Sequence, residues 1–185
     1  MSFSGMVKEE LSRQIGTARH CRIAELAALI GFCGRLEHFP QGEKLKLQTE
    51  NETVARKCFT LLQKTFNIEK EISVRENSHL KRVKVYVLEI SDPEEIREIL
   101  QATKLIADSK FCDTLILQDM LVVQQSCCKR AYIRGAFLAS GSISDPEKGY
   151  HFEIVYPDER KAQQLQTIIR SFSVDAKIVQ RKKSY

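Results

Sequence analysis

Six cysteines are the residues of this chain best suited to metal, redox or nucleophilic chemistry: Cys21, Cys33, Cys58, Cys112, Cys127 and Cys128. Along the sequence they are scattered. No two form a C-x-x-C pair and no histidine stands at zinc-finger spacing, so the spacing predicts reduced thiols, no metal site and no cofactor. The adjacent pair Cys127 and Cys128 could serve metal or redox chemistry, but neighbours on a helix point in different directions, which favours small buried side chains. A Cys33 nucleophile with His20 or His38 as base lacks a third group to orient the imidazole. A thiol in a tightly packed helix is the simpler reading.

Contact with a polyanion is the other chemical possibility. Lys and Arg number 29 against 24 Asp and Glu, and the resulting charge of +5 permits such a partner without demanding one. Within segments that alternate as strands, Lys44, Lys46 and Gln48 share a face, as do Ser73 and Arg75, and as do Lys84 and Tyr86. Such positions suit phosphates or base edges. Glu43, Glu50, Glu69, Glu71, Glu76 and Glu153 are interleaved, so no strongly basic stripe forms, and a solvated face accounts for each lysine equally well. Arg181, Lys182 and Lys183 near the end read either as a solvated strand end or as phosphate contacts.

The elements that must position these residues alternate between helix and strand. Phe3, Val7, Leu11 and Ile15 recur every four residues and predict a leading helix within residues 1–18, ended by Gly16. A second helix is expected from Arg19 to Cys33. An antiparallel hairpin follows, Arg35 to Phe39 and Lys44 to Gln48, about the turn at Pro40 and Gly42. A third helix runs from Glu52 to Phe66 with Asn51 or Thr49 as cap. Strands at Glu69 to Glu76 and Val83 to Ile90 precede a helix opened by Asp92 with Pro93 at its first position. Residues 106–126 are expected to be a connecting helix region between a first unit, 19–105, and a second, 127–185.

That second unit is a copy of the first. Cys21-Arg-Ile-Ala-Glu-Leu-Ala-Ala-Leu-Ile-Gly-Phe-Cys-Gly34 lies over Cys128-Lys-Arg-Ala-Tyr-Ile-Arg-Gly-Ala-Phe-Leu-Ala-Ser-Gly141 at one offset, 107, without a gap. An offset of 106 lays Phe59 to Phe66 over Leu165 to Phe172 and Ile72 over Ile178. Two alignments at nearly one spacing imply internal duplication. The copy of Val83 to Ile90 would fall past Tyr185, so the second unit is expected to be incomplete and the chain a piece of a longer protein. Both helices carry small residues at four-residue spacing: Ala24 with Ala28, Ala27 with Gly31, then Ala131, Gly135 and Ala139. Glycine inside a helix costs up to roughly 1 kcal/mol against alanine, which predicts that Gly31 and Gly135 let the two helices pack closely.

Leu26-Ala-Ala-Leu-Ile-Gly-Phe-Cys-Gly34 resembles the LAGLIDADG helix of homing endonucleases, and Ile133-Arg-Gly-Ala-Phe-Leu-Ala-Ser-Gly141 is a more divergent second copy. Over its whole length the chain is similar to the WhiA family of bacterial regulators. Met1-Ser-Phe-Ser4, Lys8-Glu-Glu-Leu11, Gln48-Thr-Glu-Asn51 and Cys127-Cys-Lys-Arg-Ala-Tyr-Ile-Arg-Gly-Ala-Phe-Leu-Ala-Ser-Gly-Ser-Ile-Ser-Asp-Pro146 carry the likeness. The resemblance implies an α+β fold: two helix-strand-strand-helix-strand-strand units form a pseudo-twofold saddle, the second unit incomplete. A C-terminal helix-turn-helix domain, absent from these 185 residues, would follow.

The resemblance further implies a DNA-binding transcriptional regulator tied to cell division, chromosome segregation and sporulation, located in the bacterial cytoplasm at the nucleoid. LAGLIDADG nucleases bridge divalent metals with an acid at the eighth motif position of each helix. Here those positions are Cys33 and Ser140, and neither a thiol nor a neutral hydroxyl is a hard charged oxygen ligand. Glu37 and Asp145 come after the motif glycine and are not placed to substitute. The expectation is a scaffold that does not cut. Double-stranded DNA is the expected partner, held weakly through Lys44, Lys46, Gln48, Arg75, Lys84 and Tyr86. The alternative is a protein-interaction module of a regulator, with no DNA binding of its own. The N-terminus lacks a secretory leader and no apolar run approaches the roughly 20 residues of a membrane helix, so no membrane is expected; no small-molecule substrate is expected for a regulator of this kind.

Overall fold

The computed structural model describes residues 2–77, 83–107, 113–182, 184 and 185; Cys112 and Lys183 lie outside them. The chain runs α1 (Phe3–Arg13), α2 (Arg19–Cys33), β1 (Gly34–Phe39), β2 (Gly42–Thr49), α3 (Glu52–Phe66), β3 (Ser73–Asn77), β4 (Val83–Ile90) and α4 (Pro93–Thr103). It continues with β5 (Leu105–Ala107), β6 (Leu115–Leu117), α5 (Ser126–Ser140), β7 (Gly141–Ile143), β8 (Phe152–Ile154) and α6 (Glu159–Arg170). The first unit forms a four-stranded antiparallel sheet ordered β1-β2-β4-β3, and β7-β8 is the corresponding edge of the second.

The duplication extends beyond the helix that first reveals it. α2 and α5 are both 15 residues long and displaced by 107 at both ends. The hairpins keep the same displacement, since Gly34 pairs with Leu47 and Gly141 with Ile154. So do the side-chain caps of the next helices, Asn51 on α3 and Asp158 on α6, each accepting backbone N–H groups of the first turn. Two expected elements differ. Among the described residues, 106–126 form no connecting helix but the β5–β6 hairpin, a turn of 3-10 helix at Leu121–Val123 and irregular backbone. Leu115, Ile116 and Leu117 are all buried, a continuous apolar run that a two-sided strand accommodates. Among the described residues around Ile178, no strand corresponding to β3 forms.

α2 is buried at every position from Ala24 to Gly31, and α5 nearly so from Ala131 to Leu138. These are central helices enclosed on all sides rather than one-sided ones. Gly135 marks their crossing. A Cβ there would sit 2.6 Å from the Glu25 carbonyl oxygen and 2.9 Å from the Ala28 Cβ. Gly31 corrects the symmetric expectation, since a Cβ there would meet nothing closer than the Leu105 Cδ2 at 3.8 Å. Gly135→Ala is therefore expected to destabilise by about 1 to 3 kcal/mol through overpacking. Gly31→Ala is expected to be neutral or to stabilise by up to about 1 kcal/mol through helix propensity. Urea unfolding midpoints of the two variants distinguish these outcomes.

α1 ends at Arg13, ahead of the predicted Gly16. The reason lies in α3: Lys57 reaches across and its Nζ donates to the Leu11 and Gln14 carbonyls, satisfying the helix end with a cation that also suits its dipole. No helix among the described residues is long and apolar enough to cross a membrane.

Candidate nucleic-acid interface and the paired helix ends

Cys33 and Ser140 are the last residues of α2 and α5, each followed by a glycine at the start of a strand. A Cβ on Gly34 would lie 2.4 Å from the Ile30 carbonyl oxygen, and one on Gly141 2.7 Å from that of Phe137. Both helices therefore leave their last turn at the same tight step. The surroundings of the pair are cationic and apolar. Lys161, on α6, is 3% exposed. Its Nζ donates to the Gly31 carbonyl and, at 2.9 Å, to the Tyr156 hydroxyl, and lies 4.1 Å from the centroid of the Tyr156 ring. Burial pushes Lys161 down to about 8, with Asp158 opposing. Lys8, half-buried on α1, is lowered by the same cause and sits over the Phe137 ring. The Cys33 residue keeps some exposure, but its thiol is enclosed, and burial raises it to about 12 against the pull of Lys8 and Lys161. The Ser140 hydroxyl is buried without a hydrogen-bond partner among the described residues.

The strand register sorts the six predicted contact residues. Residues directly opposite share a face. Lys46 stands opposite Glu89 and Arg35, Lys44 opposite Glu37, Gln48 opposite Val87, and Ser73 likewise opposite Val87. Lys44, Lys46, Gln48 and Arg75 thus lie on one face, away from the helices, together with Arg35. Leu45 and Leu47 on the other face are core. Lys84 and Tyr86 fall on that helix-side face, in line with Leu88 and Ile90, and the Tyr86 hydroxyl donates at 3.3 Å to Glu52 at the start of α3. They do not join the other four. The sequence reading missed this because it could assign faces within a strand but not between strands, which only the register decides.

The open face carries Arg35, Lys44, Lys46 and Arg75 against Glu37 and Glu89. Glu43 and Glu76 are on the other side, opposite His38 and Lys84. Lys46 pairs with Glu37 at 3.5 Å, Arg75 with Glu89 at 2.9 Å and Arg35 with Asp113 at 3.2 Å, all partly exposed. In the second unit the counterparts of Arg35 and Lys46 are Ser142 and Glu153, so the two halves differ in charge where they match in shape.

Residues 19–106 match the WhiA N-terminal LAGLIDADG-like domain and residues 129–185 the WhiA LAGLIDADG-like domain. The chain belongs to the WhiA family. It is 52% identical over its full length to a probable cell division protein WhiA of Lachnoclostridium phytofermentans and 39% identical to that of Alkaliphilus oremlandii, covering 59% of each. The chain thus spans about three-fifths of the curated relatives it matches. Among solved structures, full-length WhiA from Thermotoga maritima superposes with a TM-score of 0.70 at 19% identity, over 100% of this chain and 55% of that one. I-DmoI in complex with its target DNA and in the presence of manganese gives 0.55 at 11% identity, over 84% of this chain and 77% of that one. Both likenesses concern the fold: a duplicated α+β LAGLIDADG-type saddle whose second unit is incomplete.

The divalent metals of LAGLIDADG nucleases do not fit the ends of these helices. A protonated thiol and a neutral hydroxyl offer a hard dication no charged oxygen, and two lysines repel it, where carboxylates would attract it. Sequence reasoning missed Lys161 here, and it also missed a buried triad at the helix crossing. The Glu25 carboxylate pairs with Lys57 at 2.9 Å and takes a two-pronged contact from Arg134 at 3.0 and 2.8 Å. Both Glu25 and Lys57 side chains are fully buried. The signal was available: Lys57 stands in the apolar stripe of Val54, Cys58 and Leu61, and Lys161 in that of Leu165 and Ile168. A lysine in such a stripe needs a buried partner. Finally, the thiols are not scattered in space. His20, Cys21, Cys127 and Cys128 converge at the opposite ends of α2 and α5, with all four ligand atoms within 4.8 Å of one another. No short-range spacing reveals this convergence, because it arises from a pairing of helices across 107 residues.

Proposed function

We propose that this chain is a non-catalytic DNA-docking scaffold of a WhiA-type regulator, one acting in cell division, chromosome segregation and sporulation at the nucleoid. Double-stranded DNA lies on the open sheet face, contacted by Arg35, Lys44, Lys46, Gln48 and Arg75. The observation that carries this reading is the contrast between the two surfaces: the sheet face carries an excess of cations, while Cys33, Ser140, Lys8 and Lys161 stand at the helix ends where no carboxylate is offered to a metal. With two of its cations already paired to Glu37 and Glu89, the face supplies few free charges, and binding by this part alone is weak and strongly salt-dependent. The same internal pairing favours a second reading, in which the face docks another regulatory protein.

Fluorescence anisotropy with a labelled duplex separates the two. At low salt the chain is expected to retain DNA. Changing Lys44, Lys46 and Arg75 together to alanine should flatten the slope of log K against log salt by about 2 to 3, near 0.9 for each phosphate left without a cation. Lys84→Ala, on the other face, should leave it unchanged. No retention at low salt, even with the C-terminal domain attached, would favour the protein partner. Supercoiled plasmid incubated with magnesium or manganese is expected to stay intact.

A further inference from the structure

The structure assigns a zinc site of Cys3His type to His20, Cys21, Cys127 and Cys128, at the N-terminal ends of the two central helices. Each helix contributes two consecutive residues from its first turn. The His20 Nδ1 lies 3.1 Å from the Cys128 Sγ and 3.5 Å from the Cys21 Sγ. No pair of the four ligand atoms exceeds 4.8 Å. Tetrahedral zinc with bonds of about 2.3 Å to sulfur and about 2.0 Å to nitrogen needs ligand atoms roughly 3.5 to 3.8 Å apart. Closing the quartet onto one ion therefore takes shifts of an ångström or less, within the reach of side-chain rotation.

The chemistry of the donors selects the ion. Three thiolates and an imidazole are soft to borderline ligands that suit zinc and exclude magnesium and calcium. The bound set carries a net charge of −1 and sits where two helix N-termini present their positive ends, an arrangement that favours both the thiolates and the anionic complex. Zinc entry releases the thiol protons to solvent as the sulfurs become ligands. Four protein ligands leave no open position, so the site is a staple and not a catalyst. It lies about 20 Å from Cys33 and Ser140, the length of a helix of this size, and ties the two halves together where, among the described residues, no sheet joins them. A disulfide uses only two of the three thiols and leaves the imidazole without a role.

Metal analysis of the chain, purified reduced and without chelator from zinc-supplemented cells, is expected to find about one zinc per chain. Cobalt added to the metal-free reduced chain should give the intense visible bands of tetrahedral thiolate ligation, and zinc should bleach them. Cys127→Ser and His20→Asn alter residues at the surface and should keep the helical circular dichroism while lowering zinc affinity tenfold or more. Cys33→Ser, at the far helix end, should bind zinc as the parent does. Zinc should also raise the melting temperature of the parent and not of Cys127→Ser. The site is refuted if the reduced chain takes up neither zinc nor cobalt, or if uptake is unchanged in both Cys127→Ser and His20→Asn. It is equally refuted if the chain carries a disulfide among Cys21, Cys127 and Cys128 and binds no metal after reduction.

Discussion

Glu25→Ala is expected to cost about 3 to 5 kcal/mol of folding stability, the range for removing one partner from a buried ion pair. That is a large share of the roughly 5 to 15 kcal/mol by which a domain is stable. The cause is Lys57, whose ammonium is fully buried and would keep only the Leu11 and Gln14 carbonyls. Arg134→Met should cost clearly less. The guanidinium it removes is already 19% exposed, so less buried interaction is lost, and Glu25 would keep Lys57. Lys57→Met should fall between, since it leaves the carboxylate with Arg134 and strips the end of α1 of its donor. Urea unfolding of the three variants gives the order, and a loss under about 1 kcal/mol for Glu25→Ala would mean the triad is structurally incidental. The triad joins α2, α3 and α5 and reaches α1. Its loss should therefore loosen the crossing that sets one half of the saddle against the other.

Stability should rise with pH above 8 on account of Lys161. Its proton is released at about 8 in the folded chain against 10.5 for an ordinary lysine. Between those values the unfolded chain binds more protons, so the folded state gains as pH increases. Below about 8 both states are charged and the burial penalty is felt in full; above 10.5 both are neutral and it is gone. The difference is worth about 3 kcal/mol, at about 1.4 kcal/mol for each pH unit. Cys33 acts in the opposite sense. Its thiol titrates at about 12 when folded against 9.0 ordinarily, so the folded chain keeps a proton that the unfolded chain has lost, and stability falls from about pH 9 upward. Cys58, also raised by burial, adds to that fall. Lys161 should therefore stabilise the parent between pH 8 and 9, and above about pH 9 the two thiols together outweigh it. The stability difference between the parent and Lys161→Met isolates the lysine and should shift in favour of the parent from pH 8 to 10.5. A difference that is flat across that window would place the ammonium in contact with water.

How much of this was legible in the sequence depended on range. α2, α3 and β4 have the limits their periodicity predicted, because apolar spacing and caps such as Asn51 and Asp92 act within a turn or two. β3 begins four residues later than the alternating pattern suggested, at Ser73, because pairing with β4 and not alternation defines a strand. The segment read as a connecting helix is largely apolar over Leu115 to Val123, and a short apolar run does not distinguish a buried strand from a helix. The two glycines looked equivalent in the sequence, yet only Gly135 meets the backbone of the other helix, because the crossing is not symmetric about both.

Sequence by itself determined the duplication, the small-residue character of the paired helices and the identities of Cys33 and Ser140 at their ends, since each is a property of residues repeated along one chain. Tertiary structure decided which charges meet. Glu25, Lys57 and Arg134 lie on three helices, Lys161 reaches from α6 to the Gly31 carbonyl, and His20, Cys21, Cys127 and Cys128 come from the starts of two helices. The sheet register separated Lys84 and Tyr86 from Lys44, Lys46, Gln48 and Arg75. The physical reason is common to all of them. Helix and strand formation is governed by contacts within a few residues. Whether a lysine is a solvated charge or a buried one, and whether a thiol is a filler or a ligand, depends on groups brought to it by chain segments tens of residues away.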